Sequence, residues 1–161
     1  MHAGLLQFDP NTWEYALDLA TGVWSEDSVF LTGGERLFGA IVEEDDERVV
    51  LESGAPQHVM ERTEVAREDV ERIERGTVWT FALRQGVRWH DGHPFDADDV
   101  LFTLEMLGNP GVDCDAKRFK YTDLRGEKLD DHTVRFTRDT QYFGTRSSFG
   151  LDYVILPRHL L

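Results

Sequence analysis

Residues 87–107, VRWHDGHPFDADDVLFTLEML, contain two histidines and four aspartates, most of them before a run of apolar residues at helical spacing. The pair Asp91 and Gly92 predicts a tight turn, because glycine adopts positive φ without a steric penalty. Pro94 favours an extended conformation at His93, the residue before it. The segment is therefore predicted to begin as a turn that leads into extended chain.

A helix is predicted to begin directly after this turn. Asp96 is a typical N-cap residue, and Asp99 lies three positions later, where its carboxylate can complete a capping box. Phe95 and Val100 occupy the two positions of a hydrophobic staple. Gly108 is predicted to cap the C-terminus of this helix. The predicted apolar face contains Val100, Leu101, Leu104 and Leu107.

The same segment allows a metal site as an alternative. His90, Asp91 and His93, together with Asp96, carry the imidazole and carboxylate groups that bind transition metals. These residues match no established zinc motif, and no segment has the ligand register of a calcium-binding EF-hand. A small metal-dependent enzyme that uses His90, Asp91 and His93 is therefore an alternative to a structural turn and helix start.

Two alternating segments predict strands on either side of the helix. In TVWTFALRQGVRW, residues 77–89, the large apolar side chains of Trp79, Phe81 and Leu83 alternate with smaller or polar ones. In HTVRFT, residues 132–137, apolar and polar residues alternate in the same way. The strands and helices follow one another irregularly, without a βαβ alternation, which favours the α+β class.

The region before these strands is predicted from its charges and apolar spacing. Residues 43–47 form an acidic run, which predicts a solvated loop before a short strand at residues 48–51. The segment RTEVAREDVERIERG, residues 62–76, predicts a helix with Thr63 as its cap and Gly76 as its stop. This part of the chain is therefore expected to mix one strand with one helix.

Turn residues divide the first part of the chain. Residues 4–8, GLLQF, predict a short apolar strand, and Pro10 with Asn11 predicts a break after it. Gly33 and Gly34 predict a second turn. For the apolar segment that follows, periodicity leaves helix and strand open.

The composition excludes some partners. Seventeen Lys and Arg residues stand against 31 Asp and Glu residues, and the formal net charge is −14. The resulting field repels nucleic acids and anionic lipid surfaces. Cys114 is the only cysteine, so an intrachain disulfide is impossible, and we expect a partly buried thiol. We expect no cofactor.

Five aromatic residues have two interpretations. Trp13, Trp24, Trp79, Tyr142 and Phe143 lie in predicted strands and loops. They could line a ligand groove, but aromatic residues at such positions more often belong to the core. We therefore expect core positions for them.

The order of the motifs closely resembles that of family-5 extracellular solute-binding proteins, the oligopeptide- and dipeptide-binding receptors of ABC importers. That family has an aromatic strand, then the pattern LR-x-G-V-x-[WF]-H-D-G-x-P-[FL]-x-A-x-D-V, and then a helix. Residues 77–107 follow this order with thirteen matching positions. The matching residues are Leu83, Arg84, Gly86, Val87, Trp89, His90, Asp91, Gly92, Pro94, Phe95, Ala97, Asp99 and Val100.

Flanking segments resemble the same family. Residues 4–21, GLLQFDPNTWEYALDLAT, are similar to a stretch near the family's mature N-terminus. Residues 129–137, LDDHTVRFT, resemble its D-D-x-T-V-x-F strand, and residues 155–161, ILPRHLL, resemble its ILP-[KR]-H segment. Residues 26–75 depart from the smaller members, and we interpret them as an insertion.

The resemblance implies a fold and a scaffold role. It implies a small mixed or antiparallel sheet with a few helices, within a periplasmic-binding-protein-like fold of type II, cluster C. Residues 1–161 would be the smaller subdomain of the N-terminal lobe, excised from a larger two-lobed receptor. The family's solute contacts come mostly from other domains, so no ligand contact is transferred to this chain.

The same resemblance makes the conspicuous polar residues a scaffold motif. The motif residues are Trp89, His90, Asp91, Gly92, Pro94, Phe95, Asp96 and Asp99. Within this motif, we expect the imidazole of His90 to be at least partly buried and hydrogen-bonded to the backbone or to a nearby carboxylate.

The function implied by the resemblance is extracytoplasmic capture of peptides or similar oligomeric solutes for ABC permease subunits, without an enzymatic reaction. The intact protein would be periplasmic or a membrane-anchored lipoprotein. Any export signal or lipid anchor is then expected outside these residues, and the fragment is expected to be monomeric. A structural or docking domain that acts through residues 26–75 is a further alternative.

Overall fold

Alternating β-branched, aromatic and charged residues give this chain mainly strands. The computed structural model describes residues 4–9, 14–54 and 60–161. The strands are β1 (Leu6–Asp9), β2 (Glu14–Leu17), β3 (Ala20–Leu31), β4 (Arg36–Glu44), β5 (Arg48–Ser53), β6 (Glu61–Ala66), β7 (Val70–Leu83), β8 (Arg125–Asp130) and β9 (Thr133–Thr137). The α-helices are α1 (Ala97–Gly108), α2 (Asp115–Arg118) and α3 (Thr145–Ser147). Short 3₁₀ turns occupy Arg67–Asp69 and Arg158–Leu160, and a π turn occupies Ser148–Asp152.

The strands form two sheets. β1 and β2 pair in antiparallel orientation, and the other seven follow the order β6-β5-β4-β3-β7-β9-β8. The strands predicted at residues 77–89 and 132–137 correspond to β7 and β9, although β7 begins at Val70 and ends at Leu83. The predicted α+β class, with a sheet and a few helices, is therefore confirmed. The break predicted at residues 10 and 11 lies outside the described residues.

The chain divides into two compact units. Unit 1 comprises Met1–Val23, Phe81–Phe136 and Tyr142–Leu161. Unit 2 comprises Trp24–Thr80 and Thr137–Gln141. The long strands β3 and β7 each contribute residues to both units.

Unit 2 has a core of aliphatic side chains from its strands. Val29 of β3, Val49 and Leu51 of β5, and Val70 of β7 are buried together. Partly buried aliphatic side chains pack against them, namely Leu31, Leu37, Ile41, Val65 and Ile73. Burial of such side chains on a pleated surface is what makes β-branched residues favour strands.

The prediction of a helix at residues 62–76 is wrong. This segment forms β6, a 3₁₀ turn and the first half of β7. Thr63 and Val65 are partly buried, whereas Glu64 between them is exposed, so the decisive period is two and not 3.6. The whole of β6 pairs with β5. The predicted stop, Gly76, lies inside β7 with φ +60°.

The acidic run at residues 43–47 is a loop only in part. β4 extends through Glu44, and the turn to β5 follows it. Oδ1 of Asp45 accepts hydrogen bonds from the backbone N–H groups of Glu47 and Arg48, each at 2.8 Å. These bonds lower the pKa of Asp45. The run therefore closes a β-hairpin, because its first aspartate satisfies the backbone of the turn.

The turn predicted at Gly33 and Gly34 is confirmed, since Gly34 has φ +86°. The segment after it, which periodicity left open, is β4. β4 pairs with β3 and β5 on its two sides.

Unit 1 has an aromatic core. The rings of Phe81, Phe136, Phe149 and Tyr153 pack edge-to-face or tilted, with centroid separations of 4.9 to 5.9 Å. The Tyr153 hydroxyl donates to the carbonyl oxygen of Val100 at 2.8 Å. Burial raises the pKa of Tyr153 well above its usual range. The hydroxyl therefore stays a neutral donor within the core.

The helix α1 differs in detail from its prediction. Its buried residues are Ala97, Asp99, Val100 and Thr103. Leu101, Leu104 and Leu107 of the predicted apolar face are only half-buried. Gly108 belongs to the helix, and the C-cap is Asn109 with φ −76°, so the predicted glycine cap is wrong. No helix in the described ranges has the length and apolar character needed to cross a membrane.

Gly39 of β4 provides a test of the packing in unit 2. A Cβ atom there would lie 3.0 Å from the carbonyl oxygen of Glu52 and 3.0 Å from Cβ of Leu51. We expect Gly39→Ala to lower the free energy of unfolding by about 1–3 kcal/mol, as overpacking does. Urea denaturation measures the change. Gly33→Ala is the matched control, because nothing lies within 4 Å of its Cβ position. Equal stability of the two variants would contradict the β4–β5 packing.

Candidate functional site

The conspicuous polar residues form a hairpin, residues 87–95, which we call the signature hairpin. Trp89 N–H donates to the carbonyl oxygen of His93 at 2.8 Å, and Gly92 N–H donates to that of Trp89 at 2.9 Å. Gly92 has φ +88°. Asp91 Oδ1 accepts the backbone N–H of His93 at 3.1 Å. The turn predicted at Asp91 and Gly92 is therefore confirmed.

The predicted helix start follows the hairpin. Asp96 is the N-cap of α1, and its side chain accepts the backbone N–H of Asp98 at 2.9 Å. Asp99 completes the capping box by accepting the backbone N–H of Asp96 at 3.3 Å. Both members of the predicted staple, Phe95 and Val100, are buried. The capping prediction is confirmed, because short-range backbone geometry decides it.

Asp99 also joins segments that are distant in sequence. Its carboxylate accepts the indole N–H of Trp89 at 2.9 Å and the backbone N–H of Arg158 at 2.9 Å, in addition to the N–H of Asp96. Only 3% of Asp99 is exposed. We call this group of four residues the Asp99 junction. A buried carboxylate needs such donors, because an unpaired charge in the interior is costly.

The Asp99 junction connects two motifs that are distant in the sequence. Trp89 comes from the signature hairpin, and Arg158 comes from ILPRHLL near the end of the chain. A second bond supports this connection, since the backbone N–H of Leu156 donates to Oγ1 of Thr103 in α1 at 2.9 Å. Both motifs are visible in the sequence, but the hydrogen bonds between them are not predicted from it.

A histidine pair closes the other side of the hairpin. His159 Nε2 lies 2.6 Å from Oδ2 of Asp91, and the rings of His93 and His159 stack with centroids 3.9 Å apart and planes 11° apart. The hydrogen bond to His159, followed by the backbone N–H of His93, lowers the pKa of Asp91. The sequence signal for this contact was the histidine in ILPRHLL.

The prediction for His90 is wrong. His90 is exposed, and its ring has no hydrogen-bond partner within the described ranges. The reason is its position, because His90 and Asp91 are the two central residues of the turn closed by Gly92 and Trp89. His159 and His93 instead make the polar contacts expected of His90, to the carboxylate of Asp91 at 2.6 Å and to the carbonyl oxygen of Pro94 at 3.0 Å.

The alternative metal site does not form. Among the residues that the structure describes, no group of three or more His, Cys, Asp or Glu side chains could hold a metal ion. Asp91 instead bonds to His159, and Nδ1 of His93 lies 3.0 Å from the carbonyl oxygen of Pro94. His90, Asp91 and His93 are therefore not brought together as ligands.

A cavity of about 730 Å³ opens beside the signature hairpin, entirely within unit 1. Phe95 and Ile155 are buried in its wall, and Trp89 is half-buried. Arg84 and Arg88 are exposed at the same cavity. The arrangement combines an apolar wall with cationic groups, as small-molecule sites commonly do.

None of the four predicted aromatic core residues within the described ranges is fully buried. Trp24, Trp79 and Tyr142 are half-buried, whereas Phe143 is 96% exposed, so a core position for Phe143 is wrong. Trp13 lies outside the described residues. The thiol of Cys114 is partly buried, as predicted, and lies 3.5 Å from the carbonyl oxygen of Leu107.

Replacement of Asp99 tests the junction. Asp99→Ala leaves three N–H donors without their acceptor, and we expect a loss of at least about 2 kcal/mol in the free energy of unfolding. Asp98→Asn is the matched control one position away. Within the described residues, the Asp98 carboxylate pairs only with Lys128 and Arg158, at 3.0 and 3.8 Å on the surface, so its loss should cost less than about 1 kcal/mol. Chemical denaturation with equal losses for both variants would refute the junction.

The lowered pKa of the Asp91 carboxyl makes the stability of the fold depend on pH. Because its pKa in the folded chain lies below the ordinary 3.8, it adds stability above that pH and loses it as the pH falls through the lowered pKa. We expect His159→Gln to move the pKa of Asp91 back towards the ordinary value. Carbon-detected NMR titration of the Asp91 carboxyl measures this, with His132→Gln as the control. An unchanged Asp91 titration in His159→Gln would disprove the contact.

Comparison with known proteins agrees with the motifs. The family model described as bacterial extracellular solute-binding proteins, family 5 Middle, matches residues 61–159. This range contains the signature hairpin, α1 and the first five residues of ILPRHLL. It also contains every member of the Asp99 junction.

Relatives with curated descriptions match a shorter part. Di/tripeptide-binding protein 2 of Pseudomonas aeruginosa is 37% identical over 78 residues, which cover 38% of this chain and 15% of that protein. The periplasmic oligopeptide-binding protein OppA of Salmonella typhimurium is 32% identical over 77 residues, covering 37% of this chain and 14% of that protein. The matched part is thus about one seventh of each relative's length.

Solved structures share the fold over nearly the whole chain. NikZ of Campylobacter jejuni, in complex with Ni(L-His), has a TM-score of 0.60 at 23% identity, covering 99% of this chain and 22% of that one. AgaA of A. tumefaciens R10, in complex with agropinic acid, has a TM-score of 0.63 at 19% identity, covering 100% and 23%. These likenesses confirm the periplasmic-binding-protein-like fold.

The family model matches more than half of the residues of this chain. The chain therefore belongs to the bacterial extracellular solute-binding proteins of family 5.

Proposed function

We propose that this chain is part of an extracytoplasmic receptor that captures peptides or similar oligomeric solutes and delivers them to an ABC permease. The observation that carries the proposal is the family match over residues 61–159, which includes the entire Asp99 junction. Relatives described as di/tripeptide-binding and oligopeptide-binding proteins support peptides as the solute class.

The role of this chain in the receptor is to build part of one lobe. Asp99 is 3% exposed and has three backbone or indole donors, so its carboxylate is committed to the scaffold. Capture then proceeds by closure of two lobes around the solute, without covalent chemistry. Most solute contacts come from other parts of the receptor.

Residues 26–75 are proposed to be an insertion relative to smaller members of the family. They lie within the first segment of unit 2, Trp24–Thr80, which has its own aliphatic core. A segment with its own core can be added to a lobe without changing the packing of the rest.

The proposal is tested with the intact polypeptide that contains this chain. Pools of dipeptides, tripeptides and pentapeptides should raise its melting temperature, because a ligand at 100 times its Kd adds about 2.7 kcal/mol of stability. Isothermal titration calorimetry of single peptides then measures affinity. A mixture of free amino acids is the control, and the absence of a thermal shift with every peptide pool would overturn the proposal.

A further inference from the structure

Two arginines at the cavity in unit 1 differ from most arginines of this chain. Arg84 Nε and Nη2 donate to the backbone carbonyl of Asp18 at 3.3 and 3.1 Å. Arg88 Nη1 donates to the backbone carbonyl of Gly92 at 2.8 Å. Carbonyl oxygens orient a guanidinium group, but they carry no charge that neutralises it.

Ion pairing is otherwise common in this acidic chain. The arginines with a carboxylate within 4.0 Å include Arg36, Arg48, Arg62, Arg72, Arg75, Arg118, Arg135 and Arg158. Within the described ranges, neither Arg84 nor Arg88 has such a partner. Asp18 also lines the cavity, but its carboxylate accepts the backbone N–H of Gly4 at 3.3 Å. A chain with a net charge of −14 therefore keeps two arginines without an ion-pair partner at one cavity.

The wall next to these cations is apolar and fixed. Phe95 and Ile155 are 3% and 4% exposed. The Trp89 indole is held by its hydrogen bond to Asp99, and its ring packs edge-to-face on Phe95 with centroids 6.3 Å apart. The volume of about 730 Å³ exceeds what one amino-acid side chain fills and falls within the range of small-molecule sites.

We propose that this cavity binds a small apolar carboxylate of the N-acylated amino-acid type. The carboxylate binds the remaining N–H groups of Arg84 and Arg88, since guanidinium groups recognise carboxylates through paired hydrogen bonds. The apolar group packs on Trp89 and Phe95. A cationic ligand is repelled, and a neutral one leaves both charges unpaired. The inference goes beyond the proposed function and does not depend on it.

The test compares two probes that differ only in charge. N-acetyl-L-phenylalanine carries a carboxylate, and N-acetyl-L-phenylalaninamide is its neutral counterpart. Calorimetric titration of the intact polypeptide that contains this chain should give the carboxylate an affinity at least about tenfold higher than the amide, because charged hydrogen bonds contribute more than neutral ones.

Variants locate the binding. The double variant Arg84→Gln with Arg88→Gln should lose the preference for the carboxylate, whereas Arg84→Lys with Arg88→Lys should retain part of it. Arg67→Gln is the matched control, because Arg67 lies outside the cavity and has no carboxylate partner within the described ranges. Near-UV circular dichroism verifies that each variant is folded. If the glutamine double variant does not fold, the lysine double variant and the single variant Arg88→Gln provide the test. Each should show a reduced preference for the carboxylate over the amide.

Three results would overturn the inference. They are equal affinity of both probes for the unchanged protein, no binding of either probe, and an equal loss of the preference in Arg67→Gln and in the glutamine double variant. Peptide capture by the intact receptor is measured separately with the thermal-shift pools, so a failure of the cavity proposal is distinct from a failure of the receptor proposal.

Discussion

The structure of unit 1 depends on one buried carboxylate. Asp99 accepts hydrogen bonds from N–H groups of the signature hairpin, of the start of α1 and of the ILPRHLL segment, residues 155–161. Without these donors, burial of the charge would oppose folding, and with them it holds three segments in one arrangement. This requirement explains why a tryptophan and two helix-capping aspartates occur together in the motif.

The local part of this arrangement could be predicted from sequence. The turn at Gly92 and the capping box of Asp96 and Asp99 depend on residues within three positions of one another. The alternation in β7 was equally local. The bond between Asp99 and Arg158 spans 59 positions, and that between Asp91 and His159 spans 68. Contacts of this kind follow from tertiary packing, which periodicity does not encode.

The incorrect prediction of a helix at residues 62–76 also results from tertiary packing. Its charged residues and spacing suit a helix in isolation, but pairing of β6 with β5 buries Thr63 and Val65 in part. Charged side chains agree with this pairing, since Arg62 of β6 bonds to Glu52 of the neighbouring strand β5 and also to Glu43 of β4, the next strand in the sheet. Tertiary context overrides weak helical propensity in such cases. The prediction for His90 failed for a different reason. His90 belongs to the motif and was therefore expected to be partly buried, but it is exposed.

We expect Asp99 to couple the signature hairpin and residues 155–161, ILPRHLL, into one cooperative unit. Hydrogen exchange of the Trp89 indole N–H and the Arg158 backbone N–H tests it most directly. We expect both to exchange slowly and with the same opening free energy as the backbone N–H groups in the centre of α1, because all open in the same unfolding event. Exchange of either group at the fast rate of an exposed loop would contradict it.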